Sequence, residues 1–266
     1  MAMSVTVIIP AWGDTPLLER ACRSIHAQTR SDVELVVSAP GSSEPQTAID
    51  ARWNGLEAAK GEWIAFCDAD DWMEPQAVAS MADVADREGA DCVCCGIVRE
   101  RTDGRMVRRP YDPEGPSDTY NAMYAKLFRR ELLDGLVVDR AIVFGEDLMV
   151  TAQALAKAKK VVVLKEAFYH YCENSGSVTH VQDGRRRVED MARVDEILRT
   201  VLRGTKYVAF HDRVTRDALL LWIRYRLFDR QLWRMLRARM TGGLLDDPRH
   251  GIIKKGALAC AGCLFD

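Results

Sequence analysis

The sequence predicts an α/β fold, and three observations carry that prediction. Apolar strand-like runs alternate with amphipathic helical stretches from the N-terminus, an acidic cluster follows directly on the third such run, and Gly or Pro punctuates most junctions. Residues 4–9 form the first apolar run, ended by Pro10. Residues 16–28 then place Leu17, Leu18, Ala21, Cys22 and Ile25 on one helical face. Residues 33–37 predict a second strand, residues 38–45 a turn rich in Pro and Gly, and residues 48–60 a helix closed by Gly61. A third strand over 62–67 runs into Asp68, Asp70 and Asp71. A helix over 75–88, a strand over 91–98, a polar excursion over 99–117 suited to a lid or hairpin, and a helix over 121–133 come next. The pair Glu146 and Asp147 opens a helix over 148–157, and strand signals recur at 161–164 and 167–171. After residue 183 the pattern is helical, with Val188, Met191, Val194, Ile197, Leu198 and Val201 as one stripe.

The chain has 266 residues, 48% of them hydrophobic, which is enough for a sizeable core and fits one large domain or a domain with an appendage. Its net charge of -2 hides an asymmetry. Residues 1–182 carry 19 Lys/Arg against 28 Asp/Glu, and residues 183–266 carry 18 against 11, so an acidic front precedes a basic tail. We therefore expect a catalytic domain over 1–182 and a basic helical extension over 183–266. The first residues lack the basic segment and cleavage site of a signal peptide, and no apolar run approaches the roughly 18–20 residues that span a bilayer. The expected location is the cytoplasm. Eight cysteines invite a zinc or disulfide reading, but Cys92, Cys94 and Cys95 lie in an apolar stretch, and neither they nor Cys260 and Cys263 have a matching second half. They read as small hydrophobes.

Three carboxylates within four residues repel one another, and a divalent cation is the simplest neutraliser. Mg2+ and Mn2+ take oxygen ligands and use one or two carboxylates while substrate phosphates complete the shell. A solvated acidic turn is the competing reading of this motif. Its position at a strand end, where α/β sheets collect ligands, favours a site. A transfer reaction also needs a carboxylate to take a proton from the attacking hydroxyl, and Asp147 is the candidate. His170, between two tyrosines in a strand, reads as structural. Trp12 and Trp72 read as packing aromatics or as stacking partners for a base or sugar.

In order and context these segments resemble the family 2 glycosyltransferases of the GT-A fold. The matches are VTVIIPA at 5–11, ACRSIHAQT at 21–29, ARWNGLEAAKGEWIAFCDADDWMEP at 51–75, KLFRRE at 126–131, GED at 145–147, YHY at 169–171 and SGSVT at 175–179. The resemblance implies a GT-A, Rossmann-like, mostly parallel sheet flanked by helices, with a nucleotide-sugar half over about 1–98 and an acceptor half over about 118–182. It implies that Pro10 and Ala11 line the nucleotide base, that Arg52 faces the diphosphate or base, and that Asp68 contacts the ribose side. Asp70 would bind Mn2+ or Mg2+, Asp71 would approach the donor sugar, and Asp147 would be the base of an inverting displacement. His180, in a polar loop after these segments, is a candidate further metal ligand or diphosphate contact, since neutral imidazole binds metals readily. The donor would be a nucleotide-diphosphate sugar such as a UDP-sugar, and the acceptor a saccharide or lipid-linked saccharide. No nucleic-acid module accompanies these segments.

The chain departs from this family after the second strand. Members carry an Asp-Asp-Gly-Ser-like turn whose Asp holds the base, whereas residues 37–43 read VSAPGSS. Glu44, Asp50 or backbone groups would have to substitute, or the chain is a catalytically inactive GT-A-like module that docks to a membrane or partner. Arg216, Arg226, Arg230, Arg234 and Arg237 alternate with Leu221, Tyr225, Phe228, Leu232 and Met235 as a basic amphipathic helix. That stripe suits either the inner face of a membrane or packing on the core.

Overall fold

A computed structural model describes residues 4–41, 47–111, 122–174 and 184–204. Its first unit is β1 (Val5–Pro10), α1 (Pro16–His26) and β2 (Val33–Ser38), with β1 and β2 parallel. β1 is buried along its whole length, which explains its unbroken apolar sequence. The Thr15 hydroxyl caps α1 by accepting from the Leu18 amide at 3.1 Å, Pro16 occupies the first turn, and Leu18, Ala21 and Ile25 face the core.

α2 (Ala48–Ala58) follows, capped by the Thr47 hydroxyl, and leads to β3 (Trp63–Phe66), which lies parallel to β1 on its other side. Gly55 lets α2 approach the sheet closely. A Cβ at that position would stand 2.4 Å from the Ile8 methyl and 3.1 Å from the Ser38 Cβ. Gly55→Ala should therefore lower stability by about 1–3 kcal/mol, read from a urea melt, because the core must shift to admit a methyl.

The rest of the sheet comprises β4 (Trp72–Met73), β5 (Cys92–Glu100), β6 (Met106–Arg109), β7 (Lys126–Arg129) and β8 (Val161–Cys172). The order is β2-β1-β3-β7-β5-β8-β4, with β6 paired to β5. β3–β7, β5–β7, β5–β6 and β4–β8 are antiparallel, while β5–β8 is parallel, so the sheet is mixed rather than mostly parallel. Helices α3 (Ala77–Glu88), α4 (Glu146–Lys157) and α5 (Gly184–Val201) complete the described elements. Two apolar clusters cover the faces of the sheet, one built on α2, α4 and α5, the other on α1 and α3. Among the described residues no helix is long and apolar enough to cross a membrane.

Two expectations need correction. The helix expected over 121–133 is instead β7 followed by a 3-10 turn, Arg130–Leu132. β7 is wedged between β3 and β5 and buried on both faces, Lys126 included, so its four residues lack the alternation that marks a strand. The two strand signals at 161–164 and 167–171 are one strand of twelve residues. The polar excursion after β5 is a hairpin in its described part, closed through Gly104 at φ 81°. Cys92, Cys94 and Cys95 are buried free thiols of β5, as small hydrophobes would be.

Candidate active site

The acidic cluster sits at the carboxyl end of β3, beside the end of β1. The Cys67 amide bonds the Ile8 carbonyl, and the Ala11 amide bonds the Ser38 carbonyl at the end of β2. Pro10 and Ala11 thus lie at the same sheet edge as Asp68, with both side chains buried. Trp12, the next residue, is 48% exposed. It is not consumed by packing, whereas Trp72 stacks on His170 at 3.5 Å and donates its indole N–H to Glu100.

A polar lattice behind the acidic loop fixes its shape. The Tyr169 hydroxyl accepts from the Asp68 amide at 3.0 Å and donates to Asp71 Oδ2 at 2.6 Å, while the Cys172 amide donates to Asp71 Oδ1 at 2.8 Å. Arg20 donates to the Asp70 carbonyl at 2.6 Å. Asp71 is 1% exposed, and burial, then Asp68 and Asp70, push its carboxyl well above the usual range. With both oxygens engaged by β8, it anchors the loop. His170 bonds Glu100 at 2.9 Å and Glu74 at 3.0 Å, which makes it a structural clamp between β4, β5 and β8.

Arg52 is the centre of the second feature. Carried on α2 and 4% exposed, its guanidinium meets Asp68 at 2.7 Å, Asp147 at 3.1 Å and Glu146 at 3.4 Å. Burial works against its charge, but Asp147, Asp68 and Glu146 together raise its pKa above the ordinary arginine range. Arg52 ties the β3 end to the start of α4. Gly145, at φ 86°, turns the chain so that Glu146 and Asp147 enter that helix side by side. Burial and the neighbouring Asp147 push Glu146 up to about 8. Burial also raises Asp147, against the pull of Arg52.

Over residues 42–141 the chain matches the sequence model described as Glycosyl transferase family 2. It is 26% identical over 217 residues to the uncharacterized glycosyltransferase EpsJ of Bacillus subtilis (strain 168), and 28% identical over 218 residues to the succinoglycan biosynthesis protein ExoO of Rhizobium meliloti (strain 1021). Each alignment covers 66% of this chain and 63% of the relative. The match to glycosyltransferase family 2 is confined to that central segment, and these relatives support it. The chain spans a little under two thirds of the length of these relatives. Among solved structures, Staphylococcus aureus TarS 1-349 in complex with UDP-GlcNAc matches with a TM-score of 0.60 and 17% identity, covering 97% of this chain and 80% of that one. The mannosyltransferase PcManGT from Pyrobaculum calidifontis, in complex with GDP-Man and Mn2+, gives 0.54 and 14%, covering 98% and 86%. At these identities the likeness establishes the GT-A fold.

The family 2 match takes in Arg52, Asp68, Asp70 and Asp71, and ends before Asp147. Geometry alone joins that last carboxylate to the others. Asp50, considered as a substitute base-holding residue, is spent on the Gly41 amide at 2.6 Å and on Arg140 at 2.9 Å. Glu44, His180, the 175–179 segment and the basic stripe of residues 213–239 lie outside the described residues. Tyr169, Arg20 and Glu100, which hold the loop, escaped sequence reasoning. Only the Tyr-His-Tyr alternation of β8 marked one of them, since an inward Tyr at a strand end needs a partner for its hydroxyl.

The residues present suit a divalent cation held mainly by its substrate. Among the described residues no group of three His, Cys, Asp or Glu is arranged to hold a metal alone. Asp70, however, is half-buried, and burial, then Asp68, raise its pKa. An oxygen donor with an excess of like charge beside it fits the pattern in which one carboxylate and two phosphates share Mg2+ or Mn2+.

Proposed function

We propose that this chain transfers a sugar from a nucleotide-diphosphate sugar, such as a UDP-sugar, to a hydroxyl of a saccharide or lipid-linked acceptor, with inversion at the sugar carbon. The observation that carries the reading is the Arg52 bridge, which holds Asp68, at the end of β3, and Asp147, at the start of α4, on one guanidinium. This proximity supports a donor-side role for Asp68 and proton acceptance by Asp147 across one space. Asp70 would hold Mn2+ or Mg2+, with His180 as a further ligand, and the cation when bound would offset the charge on the leaving diphosphate. Pro10, Ala11 and the exposed Trp12 would border the base, with backbone groups at the ends of β1 and β2 replacing the missing carboxylate.

In this reading Asp147 takes the acceptor proton, Asp71 and Tyr169 keep the loop in shape, and Arg52 keeps Asp147 ionised. The basic extension over 183–266 would place the enzyme at the inner, cytoplasmic face of a membrane, where lipid-linked acceptors are presented. The first helix of that extension, α5, packs against α4 with Val188, Met191, Val194 and Leu198 in the core.

A screen of UDP- and GDP-sugars tests the reading. With Mn2+ present, the matching donor at a hundred times its Kd should stabilise the fold by about 2.7 kcal/mol, and Asp70→Ala should remove that shift. Stabilisation unchanged in Asp70→Ala would exclude the metal assignment. The occupied Asp50 carboxylate favours a second reading, an inactive GT-A-like docking module. Turnover of any donor eliminates it.

A further inference from the structure

The β5–β6 hairpin stands away from the rest of the sheet. Every residue from Arg101 to Arg108 is exposed, so both faces of the ribbon are bare. β6 pairs with β5 alone among the described strands, in a register that sets Met106 opposite Glu100 and Val107 opposite Arg99. Successive residues of a strand point to opposite faces, so one apolar side chain projects on each side of the ribbon. Met106 is 64% exposed and Val107 38%. The charge of the same ribbon is one-sided. Residues 99–109 hold five arginines against Glu100 and Asp103, a formal net charge of +3. Arg105 is tied to Asp103 at 2.6 Å, whereas Arg101 and Arg108 have no carboxylate within ion-pair distance among the described residues. Arg108 donates only to the Ala167 carbonyl, at 3.3 Å.

Hydrogen bonds fix where this ribbon leaves the sheet. Glu100 pairs with Cys172 across β5 and β8, the Glu173 amide bonds the Glu100 carbonyl at 2.8 Å, and the Cys172 amide is the group that holds Asp71. The hairpin therefore starts at the edge that carries the acidic loop. A guard against strand addition would account for arginines on an unpaired edge, but it needs no exposed Met or Val. A soluble polyanion would likewise use the charges and leave the apolar pair in water. An anionic lipid surface uses both, since guanidinium groups stay among the headgroups while Met106 and Val107 enter the interface.

We propose that the tip of the β5–β6 hairpin, through Arg101, Met106, Val107 and Arg108, docks on an anionic lipid membrane and holds the acidic loop beside the bilayer surface. This contact is separate from the basic extension. It does not depend on the donor-site reading.

The test is sedimentation of the full chain with phosphatidylcholine vesicles, with and without about a quarter phosphatidylglycerol. The parent should bind the anionic vesicles far more tightly than the neutral ones. Met106→Gln combined with Val107→Thr keeps every charge and should weaken binding about tenfold, and Arg101→Gln combined with Arg108→Gln should weaken it about thirtyfold. All four side chains are exposed, so both variants should keep the melting temperature of the parent and its response to nucleotides. Met106→Trp supplies a direct reading of depth, because brominated lipid should quench its fluorescence beyond the change seen in the parent. Equal vesicle binding in the parent and both variants would place the contact on the extension and overturn the hairpin. Weakening by the arginine pair alone, with Met106→Trp unquenched, would mark a patch for any polyanion and overturn the lipid assignment. A parent chain that binds no vesicle overturns it as well. None of these failures touches stabilisation by nucleotide, which is the measure of the donor site.

Discussion

Arg52→Met should cost about 3–5 kcal/mol of folding stability, the largest loss expected from any single side chain in the site. The guanidinium is 4% exposed and touches three carboxylates, so its removal leaves Asp68, Glu146 and Asp147 facing one another in a space that excludes most water. Methionine fills much of the volume, which confines the effect to charge. The loss should depend on pH in a definite direction. Without Arg52, Glu146 and Asp147 have folded-state pKa values raised further above those of the unfolded chain. Protonation in the fold relieves the repulsion, so the deficit is smallest near pH 5 and grows as pH rises toward 8, by up to about 1.4 kcal/mol per unit for each group that titrates. Urea melts of parent and variant at both ends of this window measure it. A deficit that is flat with pH would mean that Arg52 acts through packing alone.

The first half of the fold was legible because its signals are local and mutually consistent. β1, α1, β2 and α2 each carry a period, a cap or a stop that the structure uses, and Thr15, Thr47 and Gly89 act where such residues are expected to act. β7 was illegible for the opposite reason. Burial between β3 and β5 erases alternation, and its antiparallel partners come from elsewhere in the chain. The same division holds in the site. The acidic cluster announced itself by composition and by the strand before it. That Asp71 points into the fold depends on Tyr169 and Cys172 of β8, remote in sequence and silent about direction. Arg52 stood out in the sequence, but its partners Glu146 and Asp147 are set by the packing of α2 and α4 against one face of the sheet, which no local spacing encodes.

Asp147→Asn should lower sugar transfer by about a hundred- to ten-thousandfold while leaving nucleotide binding intact. The environments of the two adjacent carboxyls separate their roles. Arg52 stands nearer Asp147 than Glu146, at 3.1 Å against 3.4 Å, and Glu146 is pushed up to about 8 by burial and by the charge of Asp147. Burial and the charge of Asp147 raise Glu146, while Arg52 opposes the rise at Asp147, so Asp147 is the carboxyl better placed to accept a proton. Asparagine keeps the shape of Asp147 and removes its basicity, but it also removes the ion pair with Arg52 at 3.1 Å, so some stability should be lost while Asp68 still pairs that guanidinium. Release of nucleoside diphosphate from the donor, followed with and without acceptor, separates lost chemistry from lost binding. Glu146→Gln supplies the opposite case. It mimics the protonated state that Glu146 already has, so transfer at pH 7 should stay within a fewfold of the parent, and the fall in stability between pH 5 and 8 that the ionisation of Glu146 causes should disappear. Turnover that survives Asp147→Asn but is lost in Glu146→Gln would reverse the two assignments and move the proton acceptor to the first residue of α4.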